Sequence, residues 1–231
     1  MRLDKLLAHS QYGTRKEVKE LIRKGYVEVN GEVVRNDDFK VDEINDEIIV
    51  GGNNVNYQKT IYYLLHKPSG VVSATFDNRY QTVLDCIDDE QVRRCFPVGR
   101  LDIDTEGLLL ITNDGKLAHF LLSPKFHVDK KYYVEFDGKF KEEYINDFKE
   151  GIVIDDGYKC LPALLEKISD NRAYITIHEG KFHQVKRMFA YFGLTVIKLD
   201  RQQFAFLTYG NLKQGEYRLL SSQEIETLLT Y

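Results

Sequence analysis

Residues 51–60 divide the chain between two different hydrophobic patterns, and that division limits the fold more than any other feature. The stretch Gly-Gly-Asn-Asn-Val-Asn-Tyr-Gln-Lys-Thr is polar and rich in turn formers, so it reads as a linker between two folding units. Before it, Leu3, Leu6 and Leu7 make a short apolar stripe at helical spacing. Thr14-Arg15-Lys16-Glu17 has the form of a capping box, because the Thr14 hydroxyl can accept from the Glu17 N–H while the Glu17 carboxylate reaches back. The helix it starts turns Val18, Leu21 and Ile22 inward, and Gly25 is placed to end it. Alternation around Asn30-Gly31 is the strongest short hairpin signal, and Glu47-Ile48-Ile49-Val50 reads as one more strand. Residues 1–50 are therefore expected as a small helix-helix-sheet domain.

From residue 61 the pattern changes. Strands are expected at 61–66, 70–73, 107–112, 131–136, 161–168, 172–178, 195–201 and 216–220, and helices at 115–122, 141–150, 182–192 and 223–229, the last with Ser221 and Glu224 as a capping box. Strands and helices do not alternate strictly. The fold class expected for residues 61–231 is thus α+β, a mixed, mainly antiparallel sheet with flanking helices. Hydrophobic residues at 43% and charged residues at 29% of 231 exclude a disordered or fibrous chain. Cys86, Cys95 and Cys160 form no Cys-x-x-Cys pair, and an odd number cannot all pair internally, which argues against a disulfide scaffold or a cysteine zinc site. The opening Met1-Arg2-Leu3-Asp4-Lys5 starts no signal-like apolar stretch, and no run approaches the roughly 20 apolar residues that span a bilayer. A reducing cytoplasm is the expected compartment.

A formal net charge of −4 taken alone disfavours a polyanionic partner. The distribution argues otherwise. Residues 1–35 carry eight bases against five acids, residues 36–60 six acids against two bases, and residues 178–201 five bases against two acids. A basic face on an acidic molecule is enough for phosphate contacts. Arg15, Lys16, Lys19, Arg23 and Lys24 are the candidates on the second helix, against the plainer reading that they are its solvated side. The acids of 36–60 and of 142–156 are then expected to face away.

The densest stretch runs Phe96-Pro97-Val98-Gly99-Arg100-Leu101-Asp102-Ile103-Asp104-Thr105-Glu106-Gly107-Leu108-Leu109-Leu110-Ile111-Thr112. A polar, acid-rich loop between an apolar approach and a buried strand is an arrangement that presents side chains from a rigid scaffold. An arbitrary loop aspartate more often only makes turn hydrogen bonds.

Four pieces in order resemble a known family: Lys67-Pro68-Ser69-Gly70, the Gly-Arg-Leu-Asp-x-x-Thr-x-Gly-Leu run at 99–108, Ser123-Pro124-Lys125 leading to Lys130-Lys131-Tyr132, and Glu179-Gly180-Lys181-Phe182-His183-Gln184-Val185-Lys186-Arg187-Met188-Phe189. Residues 1–50 resemble an S4 RNA-binding domain, and 61–231 the catalytic domain of the RsuA-type pseudouridine synthases. The resemblance implies a cofactor-free isomerisation in which the bond between ribose C1′ and base N1 breaks, the base turns, and C1′ rejoins at C5. By resemblance Asp102 is the catalytic carboxylate. It can attack C1′ or base C6, or stabilise cationic character at C1′. Asp104 does not match the motif position and is read as structural. Tyr132 falls where the family places an active-site tyrosine; of Tyr132 and Tyr133 only one can face the site. Lys186 falls where a basic residue pairs with the aspartate, with Arg187 as its competitor or a phosphate contact. Arg100 beside the site suits RNA that must extrude a base. Lys67 shapes the pocket wall and counts as an RNA contact; His183 is read as structural or RNA-contacting rather than as a base.

These readings give an enzyme, acting as a monomer, that converts one uridine of small-subunit (16S) ribosomal RNA to pseudouridine. The same reaction on large-subunit (23S) RNA is the near alternative, and a non-catalytic ribosomal RNA-binding or assembly protein is the rival of another class. A glycosidase using Asp102 and Asp104 shares the broken glycosidic bond but leaves residues 1–50 without a role.

Overall fold

The computed structural model describes residues 1–43, 45–55, 57 and 60–231. The chain forms two compact units, one of residues 1–61 with 89–94, the other of 62–88 with 95–231.

In the first unit, α1 (Leu3–His9) and α2 (Arg15–Lys24) precede β1 (Val27–Val29), β2 (Glu32–Val33), β3 (Ile48–Val50) and β4 (Asn53–Asn54), in sheet order β2-β1-β3-β4. The capping box forms: the Thr14 N–H donates to Glu17 Oε2 at 2.7 Å and the Glu17 N–H to Thr14 Oγ1 at 3.4 Å. Gly25 ends α2 at φ 81°, a left-handed conformation that costs a residue without Cβ nothing. Leu3, Leu6, Leu7, Val18, Ile22, Val27, Ile48 and Val50 close a common core, each side chain worth about 1.5–3 kcal/mol of transfer free energy. The segment expected as linker opens with β4, antiparallel to β3 through Ile49–Asn54 and Val50–Asn53; Asn56, Gln58 and Lys59 lie outside the described residues.

The second unit is built on one mixed sheet. Its strands are β5 (Tyr62–Lys67), β6 (Phe96–Pro97), β7 (Glu106–Thr112), β8 (Lys130–Asp137), β9 (Leu164–Ser169), β10 (Arg172–Ile177), β11 (Thr195–Phe204), β12 (Leu207–Thr208) and β13 (Tyr217–Leu219). Helices α3 (Gly115–Leu122), α4 (Glu143–Glu150), α5 (Gln184–Ala190) and α6 (Ser222–Leu229) flank it. The order is β13-β5-β7-β11-β8-β10-β9, and among the described strands only β7 and β11 pair in parallel. Glycine is required at that junction: a Cβ on Gly107, at φ 107°, would lie 2.4 Å from the Arg201 backbone. Leu108, Leu109, Leu110 and Ile111 are fully buried, so β7 is covered on both faces, as its unbroken apolar run requires.

Two expected elements differ. Residues 70–73 form no strand beyond a single bridge from Val72 to Thr82. Their polar groups are engaged elsewhere, with the Gly70 N–H donating to Ile103 O at 2.7 Å and the Ser73 hydroxyl to Leu101 O at 2.8 Å. The helix expected at 182–192 begins at Gln184 because His183 sits at φ 48°, outside the right-handed helical region. Among the described residues no helix is long and apolar enough to cross a membrane.

Candidate active site

The loop carrying Asp102 hangs from three anchors. Ser73 Oγ donates to Leu101 O and accepts from the Leu101 N–H at 3.0 Å. The Gly70 N–H holds Ile103 O. The third anchor is Lys67, at 0% exposure, whose Nζ donates to Pro68 O at 3.0 Å, Ile103 O at 3.4 Å and Thr105 O at 2.8 Å. Burial pushes its ammonium down to about 8 against the pull of nearby acids. The expected RNA contact at Lys67 is therefore corrected: an ammonium sealed inside the unit and spent on three carbonyls has no face for a phosphate.

Held this way, Asp102 presents a carboxylate that is 23% exposed. Lys186 Nζ, on α5, lies 3.1 Å from Asp102 Oδ2 and 2.6 Å from Asp104 Oδ1. Burial pulls the Lys186 ammonium down, but hydrogen bonds to the two aspartates outweigh it and hold it above its ordinary value. The same contact keeps the Asp104 carboxyl below its ordinary value despite its partial burial. Asp104 thus acts on the lysine. His183 Nε2 stands 3.6 Å from Asp102 Oδ1, an electrostatic neighbour beyond hydrogen-bond distance.

Asp102 opens on a pocket lined also by Arg100, Thr105, Tyr132, Ile177, Lys181, Gln184, Val185 and Leu199. Tyr132 projects from β8 at 7% exposure. Its neighbour Tyr133 points to the other face and donates to Glu135, as strand alternation demands. Arg100 is exposed at the pocket edge. Arg187 is not there. It pairs with Asp155 and, at 2.8 Å, with Asp156, and donates to Phe182 O at 3.2 Å. Successive residues on a helix point about 100° apart, so Lys186 and Arg187 cannot both reach Asp102. The Arg187 guanidinium is shared among two carboxylates and a carbonyl.

The sequence reading missed a buried bracket behind the pocket. Glu179, 1% exposed, accepts from Tyr158 Oη at 2.7 Å, the Leu161 N–H at 2.8 Å and Gln184 Nε2 at 3.0 Å. The Gln184 carbonyl accepts from the Lys181 N–H at 2.9 Å. This fixes the turn that delivers His183 and Lys186. The signal was present in the Glu-x-x-x-x-Gln spacing, but Tyr158, 21 residues upstream, carried none. The Thr105 hydroxyl, buried and without a partner among the described residues, is a second group that sequence did not single out. Among the described residues no cluster of three or more His, Cys, Asp or Glu is disposed to hold a metal ion.

On the first unit, Arg15 and Lys16 are exposed and carry no ion pair among the described residues. The other helix bases are partly neutralised: Lys19 lies 3.5 Å from Asp37 and 3.8 Å from Asp4, Arg23 2.9 Å from Asp37, and Lys24 3.9 Å from Glu20. The expectation that the acids of 36–60 face away fails at Asp37, because folding returns the segment after β2 to α2. It fails likewise for Asp155 and Asp156 in the 142–156 group.

A strand-borne tyrosine and a loop aspartate paired to a helix lysine thus meet at one pocket of the mixed sheet. Residues 61–191 match the RNA pseudouridylate synthase family, and residues 1–48 match the S4 domain. The chain is 46% identical to the RNA pseudouridine synthase YtzG of Bacillus subtilis, covering 99% of this chain and 98% of the relative. It is 39% identical to the ribosomal large subunit pseudouridine synthase B of the same organism, covering 98% and 95%. Identity to the ribosomal small subunit pseudouridine synthase A of Vibrio cholerae is also 39%, covering 99% of each. A crystal structure of a pseudouridylate synthase superposes with a TM-score of 0.70 at 35% identity over 99% of both chains. This chain belongs to the RNA pseudouridine synthases, enzymes that isomerise uridine within RNA, and it carries an N-terminal S4 domain.

Proposed function

We propose that this enzyme forms pseudouridine at one uridine of small-subunit ribosomal RNA, with Asp102 as the catalytic carboxylate and Tyr132 and Lys186 completing the site. The observation that carries the site assignment is the 3.1 Å contact between Lys186 and Asp102 at the mouth of a pocket walled by Tyr132. A cation there aims the carboxylate and offsets the loss of water around its charge that an incoming base imposes. The Tyr132 ring offers a flat wall to the flipped uracil. Its hydroxyl can relay the proton that leaves C5 once C1′ has joined it. Thr105 adds to the same wall a hydroxyl without a partner among the described residues, a donor or acceptor for the base or ribose. Arg100, exposed beside the pocket, is suited to a flanking phosphate or to the gap left by the extruded base.

The first unit serves as the docking module, through Arg15 and Lys16 above all, with β4 of the segment expected as tether built into its sheet, and the second unit as the catalytic domain of a monomeric enzyme. The small-subunit target is supported by the Gly-Arg-Leu-Asp-Ile-Asp-Thr and Phe-His-Gln-Val-Lys-Arg-Met-Phe runs and by the likeness to the Vibrio cholerae enzyme. The second reading, the same reaction on large-subunit RNA, draws equal support from the Bacillus subtilis synthase B. The test is to incubate wild type and Asp102→Asn with protein-free small-subunit RNA, assembling small subunits and large-subunit RNA, and to map pseudouridine by carbodiimide labelling and primer extension. Modification confined to small-subunit RNA, and absent with Asp102→Asn, is expected. Activity in Asp102→Asn would overturn the carboxylate assignment, and modification of large-subunit RNA alone would overturn the target.

A further inference from the structure

Between the pocket-lining residues Lys181 and His183 the chain carries a large apolar side chain that the isomerisation does not use. Phe182 is 76% exposed, and its ring lies on the His183 imidazole with centroids 3.8 Å apart and planes 18° from parallel. His183 itself lines the pocket. A single exposed phenylalanine requires no explanation. Phe76 is exposed to the same 76%, and among the described residues it stacks on no other ring.

Three observations set Phe182 apart. Its backbone is clamped: Arg187 Nη1 donates to Phe182 O at 3.2 Å, and Arg187 is itself held by Asp155 and Asp156. The residue beneath it is strained into place, since His183 adopts φ 48°, a conformation that costs a side-chain-bearing residue free energy and that tends to occur at binding sites. The pocket carries cations. Arg100 lines the pocket with no acidic partner among the described residues, and Lys181, next to Phe182 in the chain, lines the same pocket with its Nζ 4.3 Å from the Tyr158 ring centroid. A clamped aromatic face next to a lysine and stacked on a pocket-lining histidine is a construction that binds unpaired nucleotides by stacking, with phosphates neutralised alongside. Rigidity matters because a platform already in position loses little entropy on binding.

Extruding a uridine also strips its neighbour of a stacking partner. We propose that the outer face of Phe182, backed by His183, is a stacking platform for an unpaired nucleobase flanking the target uridine. This rests on the reading of the Asp102 pocket as the uridine site. Every base has a π-face, so the platform selects neighbours that can unstack, not a base identity. It accordingly favours targets in loops or unfolded RNA over those inside a continuous helix.

The chain contains no tryptophan, so Phe182→Trp places a single reporter at the platform. Small-subunit and large-subunit RNA transcripts are titrated into it, beside an Ile168→Trp protein whose reporter stands exposed on β9. Saturable quenching is expected at position 182 and not at 168. In pseudouridylation assays Phe182→Ala is expected to lose about 5- to 150-fold in kcat/KM, mostly through KM, while Phe182→Tyr retains activity. Wild-type kcat/KM in Phe182→Ala, or an unquenched reporter at 182 under saturating RNA, would overturn the platform. The quenching does not depend on which RNA is modified, so a wrong target leaves this test intact. Activity surviving in Asp102→Asn removes the pocket assignment without silencing the reporter.

Discussion

A fully buried ammonium holds the loop that carries Asp102. Lys67 ties the carbonyls of Pro68, Ile103 and Thr105, and no uncharged side chain of its length donates three times. Lys67→Met is expected to leave buried carbonyls unsatisfied, at about 1–3 kcal/mol in stability, and to lower kcat by letting the aspartate drift. Thermal unfolding and steady-state kinetics check this, and an unchanged kcat would reduce Lys67 to packing. The position was legible as functional in the Lys-Pro-Ser-Gly motif, but its burial was not. A lysine looks the same in sequence whether its ammonium meets phosphate or backbone. The same limit applied to Lys186 and Arg187, adjacent bases of which the docking of α5 chose one.

Among the elements, the helices were the most legible. The helix at 115–122 and the cap of α6 follow from local rules. The Ser221–Glu224 box forms, and Glu224 also takes a bidentate pair from Arg218 on β13 at 2.7 Å for each bond. These contacts, the Arg218 hydrogen bonds foremost, press the Glu224 carboxyl down to about 2. Because its folded value lies below its unfolded one, this stabilisation is fully present above the ordinary glutamate range and is lost as pH falls from about 4.5 towards 2. The stability difference between wild type and Glu224→Gln, measured by denaturant unfolding, is expected to be constant near neutrality and to vanish by about pH 2. A difference that persists at pH 2 would place the effect in packing. Residues 70–73 and the start of α5 were misread for one reason. Periodicity records which side chains are apolar, whereas Gly70, Ser73 and His183 are shaped by hydrogen bonds to distant backbone and by a strained φ.

At the scale of the whole molecule, charge placement decides how an acidic chain engages RNA. Arg15 and Lys16 remain unpaired among the described residues while Lys19 and Arg23 lean on Asp37. Replacing Arg15 and Lys16 together with alanine is expected to weaken RNA binding and to flatten the slope of log K against log salt by about 1.4–1.8. Lys19→Ala should change the slope less, and filter binding or anisotropy across a salt series compares them. Equal slopes in all three would leave α2 as plain surface. The sequence by itself determined two units and the class of each, because these rest on local periodicity, caps and turns, and its resemblance to a family pointed to Asp102 and Tyr132 through motif order. Only the tertiary structure decided which charges meet: Lys186 on Asp102, Asp37 against α2, Arg187 beneath Phe182, Lys67 sealed inside. An ion pair or a buried donor is made by residues far apart in the chain, and its energy depends on distance and desolvation that no one-dimensional pattern encodes.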